Sequence, residues 1–203
     1  MRVLAIETAT AACSVALIED GVVIAADHAL VGRGHAERLL PMIANLPDGG
    51  RCNAILVDIG PGSFTGIRVG AAAARALGFA WGVPVHGYAS LALIAVIDGG
   101  RADTVVAIEG GHGELFFGRY GGDPLNEIEA PRSMPFGLAV ESVSAARIVG
   151  NAAARLVEAG VAATALDVAP DARGTVLLPT ALSMLPPVPF YGRGADATPM
   201  AAV

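Results

Sequence analysis

Apolar and polar positions along this chain change period several times, and each change marks an element. Arg2 to Glu7 alternates and is rich in β-forming residues, and Cys13 to Glu19 reads as a second strand. Asp20-Gly21 is a two-residue hairpin signal, so Val22 to Asp27 is predicted as a third strand. The period then lengthens. Ala36, Leu39, Leu40 and Ile43 fall at i, i+3, i+4 and i+7, which predicts a helix with a kink or tight turn at Pro41. Ala54 to Ile59 reads as an apolar run, the mark of a buried parallel strand. Beyond the Gly60-Pro61-Gly62 break, a long helix is predicted from about Thr65 to Trp81. A short strand over Val83 to His86 and a helix over Ser90 to Ile97 follow, closed by Gly99-Gly100.

The second half restarts the first. Val3-Leu4-Ala5-Ile6-Glu7 reappears as Val105-Val106-Ala107-Ile108-Glu109. Each copy leads through a short turn into another strand, Cys13 to Glu19 or Glu114 to Tyr120, and then into Asp20-Gly21 or Gly121-Gly122. Arg147 to Gly150 and Asn151 to Glu158 supply a later strand and helix. The repeated order of elements points to duplication. The expectation is an α/β chain of two tandem βββαβα lobes of the actin and sugar-kinase type. The larger lobe would span 1–100 and the smaller 101–203, the latter ending in an extended, poorly ordered tail from Pro186-Pro187-Val188-Pro189.

In such an architecture nucleotide lies between the lobes, on the first hairpin turn of each. An acid at the end of each first strand would organise Mg²⁺. The candidates here are Glu7, with Thr8 beside it, and Glu109. The first turn lacks the glycine that lets amides close on phosphate, and both acids are glutamates rather than aspartates. This favours an inherited, degenerate turn over a working ATP site. The loop Gly60-Pro61-Gly62-Ser63-Phe64-Thr65-Gly66 fits neither a Walker A loop nor the dinucleotide fingerprint, which leaves Ser63 or Thr65 as a helix cap. In the helix after it, Gly66, Gly70, Ala74, Gly78 and Gly82 recur every four residues. Each glycine costs on the order of 1 kcal/mol against alanine, so the ridge must serve a close helix approach. That approach is either internal, for example against the 35–46 helix, or to another molecule. Arg68 and Arg75 would rim it or be solvated. None of the histidines at 28, 35, 86 and 112 forms an HxxxH or HExxH pair, and His112, in the second turn, is the one facing the predicted cleft.

Composition narrows the picture. The chain has 203 residues and a formal charge of −6, and all 13 basic residues are arginine. This excludes a lysine Schiff base and a P-loop lysine, and it predicts no strong nucleic-acid affinity for this chain alone. Cys13 and Cys52 lack CxxC spacing and read as reduced thiols. No apolar run reaches the roughly 20 residues of a membrane span, and no signal peptide is read, so a cytoplasmic protein is expected.

Several of these segments resemble the TsaB (YeaZ) family. They are Leu4-Ala5-Ile6-Glu7-Thr8-Ala9-Thr10 with Cys13-Ser14-Val15-Ala16-Leu17, His35-Ala36-Glu37-Arg38-Leu39-Leu40-Pro41, and above all Gly60-Pro61-Gly62-Ser63-Phe64-Thr65-Gly66-Ile67-Arg68-Val69-Gly70. Glu109, Gly113-Glu114 and Pro189-Phe190-Tyr191-Gly192-Arg193 resemble weaker family features. The likeness is strong over about the first ninety residues. It departs in the acid at Glu7, where aspartate is commoner, in a trimmed segment between Asn45 and Asn53, and in a compact second lobe. The resemblance implies an actin-like, RNase H-like (ASKHA) fold. It implies a non-catalytic partner of TsaD, the metal-bearing subunit that transfers threonylcarbamoyl to a tRNA adenosine, with TsaE joining the complex and TsaC making the adenylate. It implies a partner contact through a helical bundle, also able to form homodimers, for which His35, Leu39, Met42, Gly66, Arg68, Gly70, Ala74, Arg75 and Gly78 are the candidates. ATP or ADP would bind only in the complex, tRNA would be reached indirectly, and the chain alone would hold no metal or cofactor. The alternatives are a stand-alone actin-fold ATP-dependent phosphotransferase, a glycoprotease, which the absent HxxxH argues against, and a purely structural homodimer.

Overall fold

The structure is a computed structural model and describes residues 1–99 and 103–192. The first half contains β1 (Arg2–Glu7), β2 (Ala12–Glu19), β3 (Val22–Leu30), α1 (His35–Ala44), β4 (Ala54–Asp58), α2 (Phe64–Trp81), β5 (Val85–Tyr88) and α3 (Ser90–Ile97). The second contains β6 (Thr104–Glu109), β7 (Glu114–Gly121), β8 (Asn126–Pro135), α4 (Phe136–Ser142), β9 (Arg147–Val149), α5 (Ala153–Glu158), β10 (Thr164–Leu166) and α6 (Thr180–Ser183). The first sheet has the order β3-β2-β1-β4-β5, and the second, read from its β8 edge, repeats it as β8-β7-β6-β9-β10. In each, three antiparallel strands are extended by two parallel ones. This duplicated plan is the actin-like, RNase H-like fold expected from the sequence.

Local chemistry explains most boundaries. Asp20 (φ 49°) and Gly21 (φ 80°) both take the left-handed backbone that a tight hairpin between twisted strands demands. The Ser63 hydroxyl caps α2 by accepting from the Gly66 N–H at 3.2 Å. At its other end Gly82 turns left-handed (φ 68°), so it ends the helix rather than continuing a ridge. Val83 donates back to the Gly78 carbonyl and Pro84 has no N–H, which is why β5 begins at Val85 and not at Val83. α1 runs on through Pro41 to Ala44.

The two halves interpenetrate more than two tandem lobes would. α3 is buried through Ala95 and shares a core with Val106, Ile108, Phe116, Tyr120 and Val149 of the second half. Past β10 the chain returns to the first sheet. A 3₁₀ segment, Ala172–Leu177, places Ala172 against Ala5, Ala16 and Ile18, and its backbone N–H donates to Ser14 Oγ at 2.9 Å. The tail from Pro186 is extended as expected, but through Gly192 it is docked rather than loose. Leu185 pairs with Gly87 in both directions, and Phe190 donates to the Ile59 carbonyl at 2.7 Å. β8, α4 and β10 have no counterpart in the sequence reading. β8 carries Pro131, Glu127, Glu129 and Arg132 on a largely exposed sheet edge, so its apolar alternation is weak.

Candidate functional site

β1 and β4 run parallel with Ile6 opposite Val57, so the next residues, Glu7 and Asp58, end side by side. Both are fully buried. Glu7 accepts from the Ala9 N–H at 2.9 Å and from the Ser90 hydroxyl at 3.2 Å. Asp58 accepts from the Thr8 N–H and hydroxyl, each at 3.2 Å, and the same hydroxyl lies 2.9 Å from the Gly66 carbonyl. Tyr88, also buried, donates to the Ile6 carbonyl at 2.7 Å. Desolvation, reinforced by the neighbouring Asp58 charge, holds the Glu7 carboxyl well above the usual range. Burial likewise pushes Asp58 up to about 7, against the opposing effect of the Thr8 bonds.

The consequence for phosphate is direct. The amides of Thr8 and Ala9, which a phosphate-binding turn must leave free, are satisfied by the chain's own carboxylates. The glycine loop then covers the turn. Ser63 donates to the Ala9 carbonyl at 2.6 Å, and a methyl group at Gly62 would collide with that carbonyl. Glu109, by contrast, is exposed and ion-paired with Arg155 at 3.0 Å, and its N–H donates to Asn151 Oδ1 at 2.8 Å. The predicted pair of cleft acids is thus divided between a closed interior and an external ion pair. The His112 side chain and Arg193 lie outside the described residues. Among the described residues no group of three His, Cys, Asp or Glu side chains is placed to hold a metal.

Most of the residues expected at a partner contact face the chain's own core. His35 is buried, and its Nε2 lies 2.9 Å from the Thr10 carbonyl and 3.2 Å from that of Ala12. Two carbonyls can only accept, so Nε2 carries the proton and ties α1 to the first turn. Leu39 and Met42 are in the core with Leu4, Ile6, Val15 and Ile55. Gly66, Gly70, Ala74 and Gly78 are buried toward the chain's own sheet. Methyl groups at Gly66 and Gly70 would strike Thr8, and one at Gly78 would lie 2.5 Å from Val85. Arg68 and Arg75 do lie outside, where they bond Tyr191 Oη at 3.1 Å and the Pro187 carbonyl at 3.0 Å.

What the helix layer presents outward is a different set. α1 and α2 touch, and their outer surface exposes Ala36, Leu40 and Ala44 together with Ala72, Ala76 and Phe79, the last 93% exposed. Phe79 follows Gly78, one position outside the four-residue glycine rhythm and on the opposite, solvent-facing side of the helix. Asp58 was hidden inside a run read as apolar. Its signal was its place at the end of a strand, the position that Glu7 holds in β1. No helix among the described residues is long and apolar enough to cross a membrane.

Comparison with known proteins places this geometry. A family model described as "TsaD: tRNA N6-adenosine threonylcarbamoyltransferase" matches residues 28–136, just over half of the chain. The Escherichia coli protein named tRNA threonylcarbamoyladenosine biosynthesis protein TsaB is 39% identical, with 59% of this chain and 55% of that protein covered. Its Haemophilus influenzae namesake is 38% identical, with 58% and 52% covered. The chain spans about half the length of these curated relatives. A solved structure of YeaZ from Pseudomonas aeruginosa superposes with a TM-score of 0.76 at 29% identity, over 87% of this chain and 89% of that one. A second, described as similar to the peptidase YeaZ from the same organism, gives 0.80 at 26% identity, over 95% and 99%.

Proposed function

This chain belongs to the threonylcarbamoyltransferase family in its TsaB (YeaZ) branch, and from that premise we propose that it serves tRNA threonylcarbamoyladenosine synthesis as a non-catalytic partner subunit of TsaD. The observation that carries this reading is the apolar outer surface of the α1–α2 layer, with Leu40 53% and Phe79 93% exposed. The exposed alanines of the two helices and the projecting Phe79 ring suit a helix-to-helix contact, because small residues let backbones approach while the ring fills a pocket, and the exposed Glu37, Arg38, Arg68 and Arg75 would edge it. The first turn supports the same reading, since its amides are already bonded to Glu7 and Asp58. In this proposal TsaE joins the assembled pair, ATP or ADP binds only in the complex, and tRNA is held by the partners, a division that the charge of −6 supports. The same helix face forms a homodimer when TsaD is absent. The setting is the cytoplasm.

The test is co-purification with TsaD from the same organism, followed by threonylcarbamoyl transfer with and without this chain. Phe79→Asp should weaken the complex by about a hundredfold and abolish the dependence of transfer on this chain. So exposed a side chain should leave the fold stable to within about 0.5 kcal/mol. A Phe79→Asp chain that binds TsaD normally would overturn the interface. Mg-ATP turnover by the purified chain alone, lost in Glu7→Gln, would favour a stand-alone phosphotransferase instead.

A further inference from the structure

The docked C-terminal segment does more than cover surface. Leu185 adds one antiparallel bridge to the outer edge of β5, with N–H···O distances of 2.7 and 3.0 Å to Gly87. A methyl group at Gly87 would sit 2.8 Å from the Pro186 carbonyl, so that strand edge is shaped for the segment. Arg75 then holds the Pro187 carbonyl. Phe190 donates to the carbonyl of Ile59, the first residue past β4, and its own carbonyl lies 2.5 Å from where a methyl on Gly60 would stand. The Tyr191 ring stacks on Phe64 with centroids 4.9 Å apart, and Arg68 lies 3.6 Å over Phe64 while donating to the Tyr191 hydroxyl. Finally the Gly192 carbonyl accepts from the Ser133 N–H of β8, in the other sheet, at 2.8 Å, and a methyl group on Gly192 would lie 2.9 Å from the Phe116 ring of β7.

These contacts run from the edge of one sheet, across the carboxyl ends of β4 and β5, to the other sheet. The carboxyl ends of parallel strands are where open α/β sheets take their ligands. We propose that residues 185–192 are a strap that ties the two sheets together across these strand ends. Release of the strap is then the step that frees the two sheets from one another there. The strap's grip is distributed over a few separate hydrogen bonds and one aromatic–guanidinium stack. It therefore belongs among the parts of the molecule that open well below global unfolding.

Native-state hydrogen exchange on the full chain tests this. The amides of Leu185, Phe190 and Ser133 should exchange with one common opening equilibrium, although Ser133 lies in a different sheet. Arg68→Ala/Tyr191→Ala should accelerate all three by about tenfold or more while leaving the β2 amides unchanged. Tyr191→Phe, which removes only the acceptor of the Arg68 bond, should reproduce the pattern at smaller amplitude and serves if the double variant fails to fold. Faster exchange at Phe190 with Ser133 unmoved would show that the segment does not join the sheets, and would overturn the proposal. So would unchanged exchange at all three.

Discussion

Glu7 and Asp58 stand fully buried at the ends of neighbouring strands, and this sets a pH dependence opposite to that of a salt-bridged acid. Folding raises both pKa values, so the native state binds protons more tightly than the unfolded chain does. Their contribution to stability is therefore fully present below the unfolded carboxyl pKa of about 4, and it is lost as pH rises through about 7. The chain should be more stable at pH 5 than at pH 8 by on the order of 1–3 kcal/mol in urea titrations. Asp58→Asn keeps an oxygen for the Thr8 N–H and removes one titrating group and its repulsion of Glu7. It should flatten the slope and leave pH 8 stability equal or higher. A wild-type chain that gained stability between pH 5 and 8 would show these carboxyls to be ionised and solvated.

At the level of the element, α2 is built with two unlike faces. Gly66 and Gly70 let its first turns lie on the Thr8 backbone and hydroxyl, so the residues most suggestive of a partner are the ones that join helix to sheet. Gly66→Ala should cost about 2–4 kcal/mol, because the collision is with backbone and cannot relax by a rotamer change. Gly82→Ala meets no neighbour, and its left-handed φ makes the loss nearer 1 kcal/mol. Thermal or urea melts of the two variants would check the order, and a Gly66→Ala loss smaller than that of Gly82→Ala would contradict the packing. Bulky substitutions at Gly70 would damage the fold, so a test of partner binding belongs on Phe79 and Ala76.

Across the whole molecule, α3 and the returning Ala172–Leu177 segment convert a duplicated sequence into one unit. Leu91 packs in the core shared by both sheets, and Arg147 of β9 clasps Asp98 at the end of α3 through bonds of 2.7 and 2.6 Å. Leu91→Ala should therefore cost about 2–5 kcal/mol and lower the protection of β1 and β6 amides together. Loss of protection in one sheet only would mean that the halves fold independently.

Backbone periodicity determined a great deal here unaided. The hairpin at Asp20-Gly21, the Ser63 cap, the 90–97 helix and the repeat of β1-β2 as β6-β7 all rest on interactions within a few residues, and these are written in local order. The Gly60–Gly70 motif carried the family for the same reason. Three-dimensional packing decided what local order leaves open. A ridge of small residues announces that something approaches closely, but only the sheet beneath α2 reveals that the visitor is Thr8 and Val85 of the same chain. Glu7 reads from local order as the acid of a degenerate turn, but its burial beside Asp58, about fifty residues away, under a loop that closes over the turn, belongs to the tertiary structure. Solvation of a side chain is a property of everything packed around it, so exposed Phe79 and buried Gly78, adjacent in sequence, separate only once the core has formed.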